Sequence, residues 1–277
     1  MSAAGLRARY GGWALVTGAS SGLGAEFARQ LAAEGFPLVL TARREDHLRE
    51  LAAGLAREHG VETHVVVVDL AEPGGSARLV AEVGDREVGL LVANAGFGLS
   101  GRFEEGDLAR YERMIQLNCT SPVVLARAYL PAMRARGRGA LIVVSSLAGH
   151  QPTPFFAVYG ATKAFDLVLA EALWDELRGS GVDVLALCPG ETRTEFSARA
   201  HMAVHGRGMD APPVVRSALA RRGRGPSVVT GWTNKVAAAL HRFLPRSWVA
   251  SATGAVLARQ LLGVSKAEAR AKGRSRA

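Results

Sequence analysis

Tyr159 and Lys163, in the run Tyr159-Gly160-Ala161-Thr162-Lys163, are the residues whose types and spacing speak most directly of chemistry. Four apart on a helix, they share a face, so an ammonium sits beside a phenol. A free tyrosine titrates near pH 10, and a neighbouring cation favours the phenolate, which makes the pair a proton donor and acceptor usable near neutrality. Ser146, in Ser145-Ser146-Leu147-Ala148-Gly149, ends an apolar stretch and can hold a carbonyl oxygen between its hydroxyl and Tyr159.

A second group suits a dinucleotide. Thr17-Gly18-Ala19-Ser20-Ser21-Gly22-Leu23-Gly24 joins an apolar run to a helical pattern, and glycines there let backbone approach a pyrophosphate at the helix N-terminus. Just past the second apolar run stands Thr41-Ala42-Arg43-Arg44, with no carboxylate before Glu45. A basic side chain at this place meets a 2′-phosphate, so NADP(H) is expected over NAD(H). Val68-Asp69-Leu70 and Ala93-Asn94-Ala95-Gly96 close two further runs. By contrast His201 and His205, four apart, have no acid or cysteine cluster nearby, so no metal is expected.

The elements that must position these groups alternate short apolar runs with longer helical periods, the mark of a sheet covered by helices on both faces. Expected strands are Trp13–Thr17, Pro37–Thr41, Thr63–Val68, Gly89–Ala93, Ala140–Val144, Val182–Leu187 and Ser227–Val229. Expected helices are Gly22–Glu34, Arg44–Glu58, Gly74–Val83, Asp107–Arg136 with a break near Pro122, and Val158–Arg178 with a stripe of Phe165, Leu169, Leu173 and Leu177. The fold class is α/β: one doubly wound domain over 1–264 with a seven-stranded, mostly parallel sheet. Residues 191–226, rich in Arg, Gly, Ala and Pro, suit a substrate flap, and 232–264 a helical extension. Within the extension, Asn234–Leu244 carries an apolar stripe of Val236, Ala239, Leu240, Phe243 and Leu244; docking on protein is preferred to docking on a membrane. A basic, flexible tail is expected over 265–277.

With 277 residues, 48% of them hydrophobic, the chain is too apolar for disorder, and 32 glycines without period exclude collagen. Only Cys119 and Cys188 could pair, so a reduced, cytoplasmic setting is expected. The net charge of +9 raises nucleic acid as a partner, but its distribution does not support one. Residues 1–189 hold 18 basic and 21 acidic residues, whereas 190–277 hold 16 and 4. The surplus is local. No targeting segment is visible, and the apolar run Trp248–Val264 is interrupted by Arg259, so membrane contact is expected to be peripheral at most, at the inner surface.

The glycine turn, the Ser146 and Tyr159 spacing and the Tyr159–Lys163 pair together resemble the short-chain dehydrogenase/reductase family over residues 12 to about 195; within it, Thr41-Ala42-Arg43-Arg44-Glu45, the run from Tyr159 to Phe165 and the basic C-terminal extension are similar to actinobacterial reductases of long-chain 3-oxoacyl lipids. The resemblance implies a tetrad in which Tyr159 is general acid/base, Lys163 supports it and binds the nicotinamide ribose, Ser146 orients the carbonyl, and Asn118 in Leu117-Asn118-Cys119-Thr120 supports a water-linked proton relay. It further implies that Gly18, Ser20, Ser21, Gly22, Leu23 and Gly24 hold the pyrophosphate, with Arg43, Asp69 and Leu70 at the adenosine end. Asn94, Ala95, Gly96, Pro189, Gly190, Thr192 and Thr194 would lie along the cofactor towards its nicotinamide end. Glu191 and Thr192 depart from the apolar residues usual there.

Phe97, Leu99, Leu147, His150, Phe155 and Phe156 are the expected substrate wall, whose apolar character favours a lipophilic ketone or 3-oxoacyl group. The expected activity is NADPH-dependent reduction of such a carbonyl; the alternative is a silent NADP-binding regulator of the same fold. A homo-oligomer paired through the helices of 107–136 and 158–178 is the family expectation. Arg193, Arg199, Arg207, Arg216 and Arg221-Arg222-Gly223-Arg224 are expected to ring the substrate entrance and attract an anionic carrier or an anionic membrane.

Overall fold

Runs of Val, Leu, Ile and Ala too short for helices pair side by side wherever helices can cover both of their faces. Here they make one sheet, β1 (Trp13–Thr17), β2 (Leu38–Ala42), β3 (Thr63–Val67), β4 (Val88–Ala93), β5 (Gly139–Val144), β6 (Val182–Cys188) and β7 (Ser227–Val229), in the order β3-β2-β1-β4-β5-β6-β7. Every pairing is parallel, which sharpens the expected mostly parallel sheet. The computed structural model describes residues 5–196, 200, 208–241 and 243–263. Arg199, His201, His205, Arg207 and the tail from 264 lie outside the described residues.

Alternate strand residues feed two cores. Ala14, Val16, Leu38, Leu40, Leu90 and Val92 pack on one face with Phe27 and Leu31 of α2 (Gly22–Ala33) and Leu48 of α3 (Glu45–His59), beside the short α1 (Leu6–Tyr10). Leu15, Val39 and Leu91 pack on the other with Leu79 of α4 (Gly75–Val83), Leu125 and Met133 of α6 (Ser121–Arg136), and Leu167 of α7 (Ala157–Glu176). Each wholly buried leucine contributes about 1.5–3 kcal/mol over exposure. This single Rossmann-like domain reverses its winding between β1 and β4, which places the ligand crevice at the carboxyl edge of those strands.

Four local expectations are corrected. The long helix of 107–136 is not broken at Pro122. α5 (Leu108–Ile115) passes through a π-helical turn, Gln116–Thr120, into α6, whose first turn readily accepts Pro122. In α7 the stripe of Phe165, Leu169, Leu173 and Leu177 turns inward only towards its end: Phe165 is exposed, Leu173 packs against the second core and Leu177 is buried in it, while Tyr159, Lys163, Asp166, Leu167 and Ala170 are buried further back. The segment expected as a flap contains framework, because α8 (Ala211–Arg221) buries Val214, Val215, Ala218 and Leu219 in the first core. Lastly, the stripe near Asn234–Leu244 does not dock on the body. α9 (Trp232–Leu240) buries Ala238, and Val236, Leu240, Phe243 and Leu244 are exposed. α10 (Arg246–Leu262) follows. No helix among the described residues is long and apolar enough to cross a membrane.

Candidate active site

β1 ends in a turn that only glycine fits. Gly18 has φ +68°, and a Cβ there would stand 2.9 Å from Asn94 Nδ2 and 3.0 Å from Ala95 Cα. Gly24 lies under the same turn, where a Cβ would meet Gly18 O at 2.2 Å. Thr17 fixes the neighbouring edge: its Oγ1 accepts from Asn94 N (3.0 Å) and Ala95 N (2.9 Å), and Asn94 Nδ2 donates to Thr17 O at 2.8 Å. α2 then begins with no acid in its first turn and no side-chain hydrogen bond from Ser21, leaving its first N–H groups for an anion. This cradle fits a dinucleotide pyrophosphate.

Along the carboxyl edge runs a cleft of about 510 Å³. Gly18, Ser20, Ser21, Gly22, Leu23, Arg43, Asp69 and Leu70 line one end, and Asn94, Ala95, Gly96, Pro189, Gly190, Thr192 and Thr194 the middle. Gly24 is not in the lining; it lets α2 approach β1. Arg44 hydrogen-bonds Ser20 through Nη2 to both O (3.1 Å) and Oγ (3.2 Å), and pairs with Glu195 at 3.2 Å. Asp69 accepts from Ala71 N at 2.9 Å and is held by Arg113 (2.8 Å) and, more loosely, by Arg43 (3.7 Å). Arg113 had no motif to reveal it.

The reacting groups sit at the other end. Ser146 leaves β5 with extended backbone, and its Oγ accepts from Ala148 N at 3.1 Å, which leaves its own proton to donate. Its hydroxyl lies near enough to the Tyr159 phenol to favour the phenolate. Tyr159 is stacked on Phe156 at 4.3 Å between ring centroids, with Phe196 5.4 Å away on a tilted plane. Lys163 Nζ donates to Val144 O (2.8 Å) and Asp166 Oδ2 (2.9 Å) and lies 5.9 Å from the Tyr159 ring centroid.

Burial pushes the Tyr159 phenol up; Lys163 and Ser146 pull it down without overcoming burial, so it stays above the ordinary tyrosine value. The expectation of a phenol lowered towards neutrality is therefore corrected for the protein alone. For Lys163, burial works against the cation, but Asp166 and Tyr159 outweigh it and hold the ammonium above its usual range. The buried Asp166 carboxyl is itself raised, with Lys163 opposing. At neutral pH the site thus holds a phenol beside a cation, the form that gives a proton.

Asn118, wholly buried on the π-turn, clamps rather than lines the cleft. Its Nδ2 donates to Phe97 O (3.0 Å) and Thr162 Oγ1 (2.9 Å), and its Oδ1 accepts from Phe97 N (3.2 Å). A π-turn at a functional position is a recurrent device for redirecting one side chain.

Of the expected substrate wall, Phe97, Leu147 and Phe156 line the cleft, whereas Leu99, His150 and Phe155 do not. Gln151, Thr153 and Phe196 line it instead, together with Thr253, Leu257 and Gln260 of α10. These last residues, about a hundred positions from Tyr159, carry no motif, whereas Asp166 lies one turn beyond Lys163 on the same face, a spacing that pairs opposite charges. Of the expected basic ring, Arg199 and Arg207 lie outside the described residues. Arg193 pairs with Asp210 (2.7 Å) and, like Arg216, Arg221, Arg222 and Arg224, is not in the lining. Gly223, inside the cluster, packs against Asp183 near the amino end of β6, away from the cleft.

A doubly wound sheet with a dinucleotide cradle and a Ser-Tyr-Lys constellation at its carboxyl edge defines a nicotinamide-dependent oxidoreductase. The family described as short chain dehydrogenase matches residues 12–203, and the chain belongs to it. It is 35% identical over 189 residues to a 7beta-hydroxysteroid dehydrogenase of Collinsella aerofaciens, covering 68% of this chain and 72% of that one. A very-long-chain 3-oxoacyl-CoA reductase of Pyricularia oryzae is 37% identical over 181 residues, covering 64% and 55%. Among solved structures, one of a 7beta-hydroxysteroid dehydrogenase superposes with a TM-score of 0.85 at 29% identity, covering 91% of this chain and all of that one. A short-chain dehydrogenase from Sphingobium yanoikuyae, in complex with NADPH, gives 0.75 at 34% identity, covering 84% and 96%.

Proposed function

We propose that this chain reduces a lipophilic ketone or 3-oxoacyl group to a secondary alcohol with NADPH. The observation that carries the reading is the buried Tyr159 phenol, beside Ser146 and backed by the Lys163 cation, at the floor of a cleft with an apolar wall. Ser146 donates to the substrate oxygen and holds it beside Tyr159; Tyr159 gives that oxygen its proton; Lys163 stabilises the phenolate left behind. When bound, the nicotinamide supplies the hydride. The N–H of Lys163 not used by Val144 and Asp166 is available for the cofactor ribose. For Asn118 the proposal is positional: both of its amide hydrogens are engaged, so it ties the Phe97 loop to α7.

Preference for NADPH rests on Arg43 and Arg44, which line the adenosine end just past β2, where the chain carries no carboxylate before Glu45. Substrate class rests on Phe97, Leu147, Phe156, Phe196 and Leu257, and on relatives named for hydroxysteroids and very-long-chain 3-oxoacyl-CoA. Two copies pairing through the outer faces of α5–α6 and α7 is supported by exposed Ile115, Val123, Phe165 and Val168. The reading is tested by NADPH and NADH oxidation across 3-oxoacyl esters, steroids and small diketones. Turnover concentrated on the lipophilic carbonyls with NADPH is expected; tight NADPH binding without oxidation of any carbonyl would instead mark a silent nucleotide-binding protein.

A further inference from the structure

α9 and α10 have two different sides. Inward, Asn234 donates to Thr230 O at 2.8 Å and abuts Gly190, Ala238, Val249 and Ala258 are buried, and Thr253, Leu257 and Gln260 wall the cleft. Outward, Trp232, Val236 and Leu240 repeat at four-residue steps along α9, Phe243 and Leu244 occupy the turn, and Trp248 and Val256 continue on α10. The three aromatic residues are 75%, 84% and 68% exposed, for Trp232, Phe243 and Trp248 respectively. Apolar residues so grouped and so exposed mark a surface that meets another apolar phase.

The charge around them selects the phase. Lys235, Arg246 and Arg259 are exposed on the same two helices, and from residue 232 to the C-terminus the chain has nine Lys and Arg against the single acid Glu268. A second copy brought to this face would set Lys235, Arg246 and Arg259 of one copy near those of the other. An anionic lipid surface would neutralise them while accepting the tryptophans at its interface, where amphipathic rings are favoured. The outer faces of α5–α7, which lack this excess of basic charge along their sequence, are left for pairing between copies.

We propose that the α9–α10 helix pair docks the protein on an anionic membrane, with Trp232, Phe243 and Trp248 seated in the interfacial layer. Because the opposite side of α10 walls the cleft, a membrane-dissolved ketone would enter past Leu257; that consequence rests on the proposed reaction, whereas docking itself does not.

The test floats the full chain with vesicles of phosphatidylcholine alone and of an equal mixture with phosphatidylglycerol. Binding to the mixed vesicles only, weakening as salt is raised, is expected; each cation near the surface is worth roughly fivefold in partitioning. The variant Phe243→Ser with Trp248→Ser should lose roughly tenfold or more of that binding. Its melting temperature and its turnover of a water-soluble ketone should be unchanged, which separates docking from folding. The charge variant Lys235→Glu with Arg246→Glu should lose the preference for phosphatidylglycerol. Absence of flotation, equal flotation with both vesicles, or serine variants that float like the parent would overturn the proposal. Self-association abolished by the serine variants without any flotation would overturn it too, assigning the face to a second copy. A chain that floats yet reduces no carbonyl would leave docking intact and remove the catalytic reading.

Discussion

Lys163 Nζ stands 2.9 Å from Asp166 Oδ2 in an ion pair withdrawn from water, with 6% and 1% of the two side chains exposed. The pair fixes where the ammonium points and keeps it charged beneath Tyr159. It also connects the reacting phenol to a residue outside the Ser-Tyr-Lys pattern.

Asp166→Asn is expected to narrow the pH range of ketone reduction from its alkaline side. Removing the carboxylate lowers the Lys163 value and the Tyr159 value together, because Asp166 raises both. Reduction needs a charged lysine and a protonated phenol, so the alkaline limb of kcat/KM moves to lower pH. An unchanged or upward-shifted limb would show that Asp166 is only structural. Leaving a buried cation without its partner should also cost about 3–5 kcal/mol of stability, read by chemical unfolding.

Arg44 is held at the adenosine end by Ser20 and Glu195. Arg44→Ala should reduce kcat/KM for NADPH about tenfold, the equivalent of about 1.4 kcal/mol, while leaving NADH within about twofold. Equal losses with the two nucleotides would mean that Arg44 organises the glycine turn and does not read a phosphate.

Gly24→Ala tests the packing of the cradle. The added methyl would stand 2.2 Å from a backbone oxygen, so α2 must shift off β1. Overpacking of this kind costs about 1–3 kcal/mol and should also weaken nucleotide binding. Calorimetry and nucleotide fluorescence titration measure the two effects.

Alkaline pH should destabilise the fold through buried neutral groups. Burial pushes the Cys188 thiol up from 9.0 to about 12, and the Tyr129 phenol from 10.0 to about 12. A raised folded value means that the stabilising contribution is complete below the unfolded value and is lost as pH rises through the folded one. Between pH 9 and about 12, Cys188 should add a slope of about 1.4 kcal/mol per pH unit, which Cys188→Ala removes. Unfolding free energies at several alkaline pH values would show an undiminished slope in the variant if this account of Cys188 is wrong.

Much of the sheet was legible because strands buried on both faces read as continuous apolar runs, and no strand limit differs from expectation by more than one residue. Motif residues were legible where backbone geometry restricts the residue type, as at Gly18. Long-range side-chain partners were not: the Asp69–Arg113 contact spans forty-four positions, and nothing local ties Leu257 to Tyr159. In the first half of α7 the leucine period is a poor guide, because a polar set, Tyr159, Lys163 and Asp166, is buried while Phe165 is exposed; Leu173 and Leu177 of the stripe do meet the core. The 191–226 region was misread for a related reason. Its Arg, Gly and Pro content conceals the pair Val214 and Val215, which seats α8 in the core.

The central claim is that Tyr159 gives the proton in carbonyl reduction. The most direct measurement compares Tyr159→Phe with the parent chain on a lipophilic ketone, following NADPH oxidation and, separately, NADPH binding. Turnover should fall by a factor of about a hundred or more with nucleotide affinity nearly unchanged. Undiminished turnover in the phenylalanine variant would contradict the account.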